Sequence, residues 1–216
     1  MNTFIRRTAL KTMILLLSLV TLYAVAAGTG KGPREVIQES TNRVLQTLER
    51  QKETSEDKVT RAMAEELLQV LEPAVDFKSI ARGVMGKHRR SASEQQVERF
   101  VAVFKDSLSQ LYMRSFQSLE VKKVEVLPLP EDFNPEQANK ATVQMRATTE
   151  GGESFNISYS MRINDQGRWA VRNIIADGIN MGLTYLNQFD GAVKRHGSIE
   201  EAIASWPKEM ENETFD

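Results

Sequence analysis

Hydrophobic residues recur along this chain at two periods, helical toward both ends and alternating between them. Pro33 suits the first turn of a helix, where its missing N–H is not needed, and Val36, Ile37, Val44, Leu45 and Leu48 carry that helix to about Arg50. Residues 51–56 are polar and read as a turn. Val59, Met63, Leu67, Val70 and Leu71 mark one face of a second helix, which Pro73 ends. Asp76 can cap a third helix bearing Phe77, Ile80, Ala81 and Val84, with Gly86 as its stop. Ser93 and Gln96 form a capping box that opens a long helix through Val97, Phe100, Phe104, Leu108, Leu111, Tyr112 and Phe116, with a bend or break expected in 113–118.

The period then changes. Val121, Val124 and Val126 make a first strand, and Pro128, Pro130 and Pro135 mark a loop. Val143, Met145 and Ala147 alternate in a second strand, Gly151-Gly152 turns the chain, and Phe155, Ile157, Tyr159, Met161 and Ile163 alternate in a third. Residues 164–167 turn again, and Trp169 and Val171 open a fourth strand, with Asn173 continuing it. Asp177-Gly178 breaks the alternation before a helix with Ile179, Leu183, Leu186 and Val193, closed at His196-Gly197. Ser198 with Glu201 opens a short last helix to about Trp206, and the chain is polar and acidic from Pro207. Helices, then strands, then helices predict an α+β fold: a helical layer packed on a twisted four-stranded antiparallel sheet with one apolar face.

The first residues add an address. Arg6, Arg7 and Lys11 precede an apolar run over 13–25, and the small residues Ala24, Ala26 and Ala27 follow. That order is the order of a secretion signal, and the run is short for a membrane span of roughly 20 residues. Cleavage is expected next to Ala27. The Arg6-Arg7 pair also loosely resembles a twin-arginine signal, whereas the strongly apolar run suits the general route. The expected organisation is a signal peptide over 1–26, one domain over 27–206 and a flexible acidic tail over 207–216. The chain of 216 residues has no cysteine, so no disulfide frames it and no lipid can be attached at one. Without the leader's three cations, 25 basic side chains stand against 29 acidic ones, a net of −4. That balance, with no long basic block, argues against nucleic acid and against a polybasic membrane clamp.

Catalytic groups are sparse. The two histidines are His88, in the run Lys87-His88-Arg89-Arg90 beside Ser91 and Ser93, and His196. The serines stand where helix caps belong, and His196 suits a helix C-terminus. Two histidines and no cysteine exclude a structural zinc site and disfavour a histidine-rich metal centre. Glu65-Glu66 and Glu200-Glu201 fall on exposed helix faces, and Gly151-Gly152 lacks the Lys-Ser/Thr of a phosphate loop. No catalytic, metal or cofactor residue is assigned. What stands out is apolar excess on elements that must cover each other. The sheet offers Ile157, Tyr159, Met161, Trp169 and Val171, and the helices offer Phe77, Ile80, Val84, Phe100, Phe104, Leu108, Tyr112, Ile179, Met181 and Tyr185. A filled core and a lined cavity look alike at this level.

The order of residues resembles a known family. Pro73-x-x-Asp76-Phe77, Ile80-Ala81-x-x-Val84-Met85-Gly86-Lys87, Ser91-Ala92-Ser93-x-Gln95 and Leu108-x-x-x-Tyr112 are similar to the MlaC family, the periplasmic phospholipid-binding proteins also called toluene-tolerance auxiliary proteins. Trp169-x-Val171, Asp177-Gly178-Ile179-Asn180-Met181, Tyr185-x-x-Gln188-Phe189 and Gly197 continue the resemblance. Arg89, Asn173, Asn180 and Leu186 depart from that family's usual residues and put partner docking in doubt more than carriage.

The resemblance implies a non-enzymatic periplasmic carrier that moves phospholipid between the inner and outer membranes and maintains outer-membrane lipid asymmetry. It implies an apolar slot between the two layers, lined by the fifteen sheet and helix residues named above, with phospholipid as cargo and no cofactor. Its implied partners are an inner-membrane ABC transporter complex with a substrate-binding ring and an outer-membrane lipoprotein–porin complex. Two other readings stand beside it. One is a small hydrolase or isomerase using a polar pair such as Asp177 with Tyr159, and the other is an adaptor with a solid core. Lipid extracted with the purified protein separates them.

Overall fold

The computed structural model describes residues 30–53, 61–118, 121–135 and 137–211. The expected leader, the chain just beyond Glu53 and the last five residues lie outside them, and so does the side chain of Tyr112. Residues 31–216 form one compact unit.

Helix α1 (Pro33–Glu53) runs through the first residues of the expected turn. Its start lies on the sheet, where the Arg34 guanidinium donates to the Val126 and Leu127 carbonyls at 2.8 and 3.1 Å. Its later half packs Val44 and Leu48 against Ala64, Leu67 and Val70 of α2 (Arg61–Leu71). Helix α3 (Phe77–Val84) starts as expected, with Asp76 Oδ1 accepting from the Ser79 N–H at 2.9 Å. A 3₁₀ turn (Gly86–Arg90) follows it. The Ser93–Gln96 box then forms in both directions, at 2.9 and 3.1 Å, and opens α4. Helix α4 (Glu94–Ser118) continues without a break across 113–118, where the sequence suggested one.

The sheet is an antiparallel meander in the order β1 (Val121–Val126), β2 (Lys140–Thr149), β3 (Ser154–Ile163), β4 (Trp169–Ala176) and β5 (Ile179–Asn180). Ala141, Val143 and Met145 face inward opposite Met161, Tyr159 and Ile157. A bulge in β4 changes the pattern read from the sequence. Ser160 opposes Asn173 while Met161 opposes Val171, so Arg172 is the extra residue. Parity shifts there, and Ile174 and Ala176, opposite Tyr159 and Ile157, take the inward positions in place of Asn173.

The fifth strand was not expected. Asp177 and Gly178 both have positive φ, 45° and 86°, and make a two-residue hairpin that returns Ile179 and Asn180 beside Ala176 and Ile175. Asn180 then caps α5 (Met181–His196), accepting from the Leu183 N–H at 3.1 Å. Helix α6 (Ile199–Glu211) does not stop at Trp206. It carries Pro207 inside it and buries Met210 at 2% exposure, so residues 207–211, expected in a flexible tail, belong to this helix. Packing of Trp206 and Met210 outweighs the roughly 3 kcal/mol that an interior proline costs a helix.

Candidate functional site

The apolar interior is divided. A helical cluster gathers Phe77, Val84, Phe100, Phe104 and Leu108 from α3 and α4 with Met181, Tyr185 and Phe189 from α5 and Ile203, Trp206 and Met210 from α6. Its aromatic rings pack closely in tilted and edge-to-face pairs, with centroids 4.6 Å apart for Phe100 and Phe189 and 5.3 Å for Phe100 and Trp206. A sheet cluster gathers Met145, Met161, Trp169 and Val171 with Ile37 of α1, and Ile157 and Tyr159 pack against it half-buried. Two residues, Val75 and Ile174, pack against both clusters. Val75 reaches that position because the α2–α3 loop pairs with β4: the Val171 N–H donates to the Ala74 carbonyl and the Asp76 N–H to the Val171 carbonyl.

The expected slot residues therefore fall into two groups on facing layers. Phe77, Val84, Phe100, Phe104, Leu108, Met181 and Tyr185 belong to the helical cluster, with Ile80 at its margin. Ile157, Tyr159, Met161, Trp169 and Val171 belong to the sheet. Ile179 joins neither; it lies on the edge strand, 55% exposed. Tyr112 lies in α4, and its side chain is outside the described residues.

The inner sheet face is closed at one end and open at the other. At the closed end Trp169 is buried, with the Phe133 ring of the β1–β2 loop 6.2 Å away. At the other end Phe155, Ile157, Tyr159, Ile174 and Ala176 are all only half-buried. The groups nearest that end are soft: the Tyr159 and Thr41 hydroxyls lie 3.8 and 3.6 Å from the Met145 sulfur. A cleft of about 330 Å³ lies elsewhere, lined by Ser79, Asn139, Arg162, Ile163 and Arg172. None of the expected slot residues lines it.

The polar candidates have structural occupations. Asp190 Oδ1 lies 2.6 Å from His88 Nε2 and accepts from Lys87 at 2.8 Å, while Oδ2 accepts from Lys194 at 2.7 Å. Lys194, then Lys87 and His88, hold the Asp190 carboxyl well below the usual carboxylate range. Ser91 Oγ donates to the His88 carbonyl and Ser93 Oγ serves the capping box, so neither hydroxyl is bonded to the imidazole. His196 lies 3.4 Å from Glu209, whose carboxyl is lowered chiefly by Arg195. Asp177 and Tyr159 have different partners: the carboxylate accepts from the Asn156 N–H at 2.8 Å, while the phenol lies against Met145.

Two of the unusual residues form one unit that the sequence did not reveal. Asn173 Nδ2 donates to Asn180 Oδ1 at 3.0 Å, and Asn173 Oδ1 accepts from the Gly182 N–H at 3.0 Å. A Cβ on Gly182 would stand 2.6 Å from Asn173 Oδ1, so this close approach requires glycine. The amides of Asn173 and Asn180 thus tie β4 to the start of α5. A third unusual residue, Leu186, packs at Gly86, with its Cδ1 3.4 Å from where a Cβ would be.

A helical layer laid over the apolar face of an antiparallel meander, with one end of that face half-uncovered, defines a two-layer α+β protein. The sequence profile of the MlaC family, described as MlaC protein, matches residues 38–208. The chain belongs to the MlaC family. It is 32% identical over 200 residues to the toluene tolerance protein ttg2D of Pseudomonas putida, a match covering 92% of this chain and 89% of that one. Its fold is similar to that of a phospholipid-binding protein from Ralstonia solanacearum solved in complex with a phospholipid. The TM-score is 0.71 at 19% identity, over 83% of this chain and 97% of the other.

Proposed function

We propose that this protein is a periplasmic phospholipid carrier, and that it takes the acyl chains of its cargo between the helical layer and the inner face of the sheet. The observation that carries the reading is the division of the interior. Two apolar clusters face each other and, among the described residues, share only Val75 and Ile174, and the sheet wall is half-uncovered at Phe155, Ile157, Tyr159, Ile174 and Ala176. Each CH₂ taken from water contributes about 0.8 kcal/mol, so two acyl chains reward separation of the layers. No covalent step is needed. The phospholipid held by the Ralstonia solanacearum relative supports the same reading.

Family membership supports the finer assignments of this reading. Residues 1–26 serve as a signal peptide removed on export, and the domain from 27 onward shuttles lipid across the aqueous compartment, maintaining outer-membrane lipid asymmetry. Its docking partners are the inner-membrane ABC transporter with its substrate-binding ring and the outer-membrane lipoprotein–porin complex. Organic extraction of the purified protein followed by mass spectrometry tests the central claim. Phospholipid near one molecule per chain is expected. A protein that carries none, and takes up none from phospholipid vesicles, overturns it.

A further inference from the structure

The outer face of the sheet carries charge that the fold does not neutralise. Lys140 and Arg162 stand directly opposite each other on β2 and β3, both exposed. Like charges in that position repel, and neither has an ion-pair partner among the described residues. Arg162 also lines the 330 Å³ cleft, together with Arg172, Ser79, Asn139 and the half-exposed Ile163. Arg172 is there because the β4 bulge inserts it as an extra residue.

Asp76 is the only carboxylate described against this group, and both its oxygens are in use. Oδ1 caps α3 through Ser79 N–H, and Oδ2 accepts from Arg172 Nη2 at 3.1 Å. That pairing fixes one edge of the Arg172 guanidinium. Its Nε is buried and has no acceptor. Two arginines thus line a cleft against one committed carboxylate, with a serine hydroxyl and an asparagine amide alongside and Lys140 across the strand from one of them.

We propose that this cleft binds a phosphate group, at a site that none of the expected slot residues lines. Guanidinium forks match phosphate oxygens in pairs, and two arginines converge here. Ser79 and Asn139 supply neutral donors. The cleft exceeds the size of a bare phosphate, and Ile163 gives an apolar wall for the organic group of an ester. Two sources carry that chemistry: the headgroup of a membrane phospholipid and a free phosphate ester.

The test uses the full mature chain, with bound lipid quantified on the same sample. Backbone amide shifts are followed while inorganic phosphate is titrated, with sodium chloride of equal ionic strength as the control. Saturable shifts at Ser79, Asn139, Arg162 and Arg172 are expected. Arg162→Gln weakens binding at least about ten-fold, Arg162→Lys restores part of it, and Lys140→Gln weakens it less. Both glutamine positions are exposed on the sheet, so folding is retained and is checked by circular dichroism. Glycerophosphoglycerol in solution and phosphatidylglycerol vesicles then separate the sources. Arg162-dependent binding to vesicles alone assigns a presented headgroup, and binding to the soluble ester assigns a free one. Shifts that chloride reproduces, or that Arg162→Gln leaves unchanged, overturn the proposal. Equal displacement by hexaglutamate overturns the phosphate class in favour of protein carboxylates. Cargo that stays normal in Arg162→Gln keeps this outcome separate from the fate of the acyl slot.

Discussion

The helical cluster and the inner face of the sheet are built from similar residue types and differ in closure. Around Phe100 the rings of Phe104, Phe189 and Trp206 meet from three helices, and every one of them is fully buried. On the sheet, burial falls along the strands: Trp169, Ala170 and Val171 of β4 are buried, while 172–176 are half-exposed. A closed aromatic cluster holds the fold together without ligand. A wall left half-open gains its missing contacts from whatever occupies it. Hydrophobicity alone does not separate the two; the number of elements that converge on each residue does.

The largest effect that tests this contrast is Trp206→Ala. The ring is fully buried among four aromatic neighbours, so its loss is expected to cost about 3–5 kcal/mol. For a chain of this size that is a fall in melting temperature of roughly 6–20 °C, measured by calorimetry on delipidated protein. A fall as small as that of a surface change would mean that the helical cluster is not the scaffold.

Filling the open end should do the opposite. Ile157→Trp places bulk where the wall is half-uncovered, opposite Met145 and Ala176. Stability of the empty protein is expected to change by less than about 1 kcal/mol, because overpacking penalties of about 1–3 kcal/mol belong to sites without spare room. Bound phospholipid is expected to fall by half or more on mass spectrometry. Normal loading with collapsed stability would make Ile157 ordinary core and move the slot elsewhere.

Much of the fold was legible because local chemistry and tertiary structure agree. Asp76 and the Ser93–Gln96 box cap the helices that they announce. Where the reading failed, a non-local contact decided. Pro207 reads as a stop, yet Trp206 and Met210 anchor the helix on both sides of it. The bulge at Arg172 leaves no trace in an alternating pattern, and it turned Ile174 inward and placed an arginine in the cleft. The β5 hairpin is different, since Asp177-Gly178 is a strong two-residue turn signal that the helical pattern after it obscured. The expected slot residues were legible as a sheet group and a helix group that must cover each other, but periodicity assigns a face and not an edge, so Ile179 was grouped with the helices although it lies exposed on the edge strand.

The ion cluster outside the helical core gives a smaller, pH-dependent effect. Asp190 joins α5 to the 3₁₀ turn, and Lys194, Lys87 and His88 lower its pKa in the folded state. Its unfolded value is about 3.9, so its contribution is complete above about pH 5 and is lost as pH falls through the depressed folded value. Urea midpoints of the wild type and Asp190→Asn should therefore differ at neutral pH and converge as the solution is acidified. Curves that stay parallel down to pH 3 would show that the cluster does not support the fold.

The smallest expected effect on stability is at Ile179, and it bears on where the slot opens. This residue ends the half-uncovered side of the sheet, opposite Ala176 on the edge strand, and is 55% exposed. It has little packing to lose, so Ile179→Ser is expected to shift stability by no more than about 0.5 kcal/mol. Its neighbour Asn180 keeps the cap on α5, so the helix should remain in place. Lipid transfer distinguishes two positions for the same side chain. If the acyl chains enter past this edge, the variant keeps its cargo at equilibrium but exchanges it with vesicles at a changed rate, because a polar rim alters the passage and not the bound state. If they enter from elsewhere, both cargo and rate match the wild type. A loss of equilibrium cargo comparable to that of Ile157→Trp would place Ile179 inside the slot and require β5 to fold over the sheet when lipid is bound.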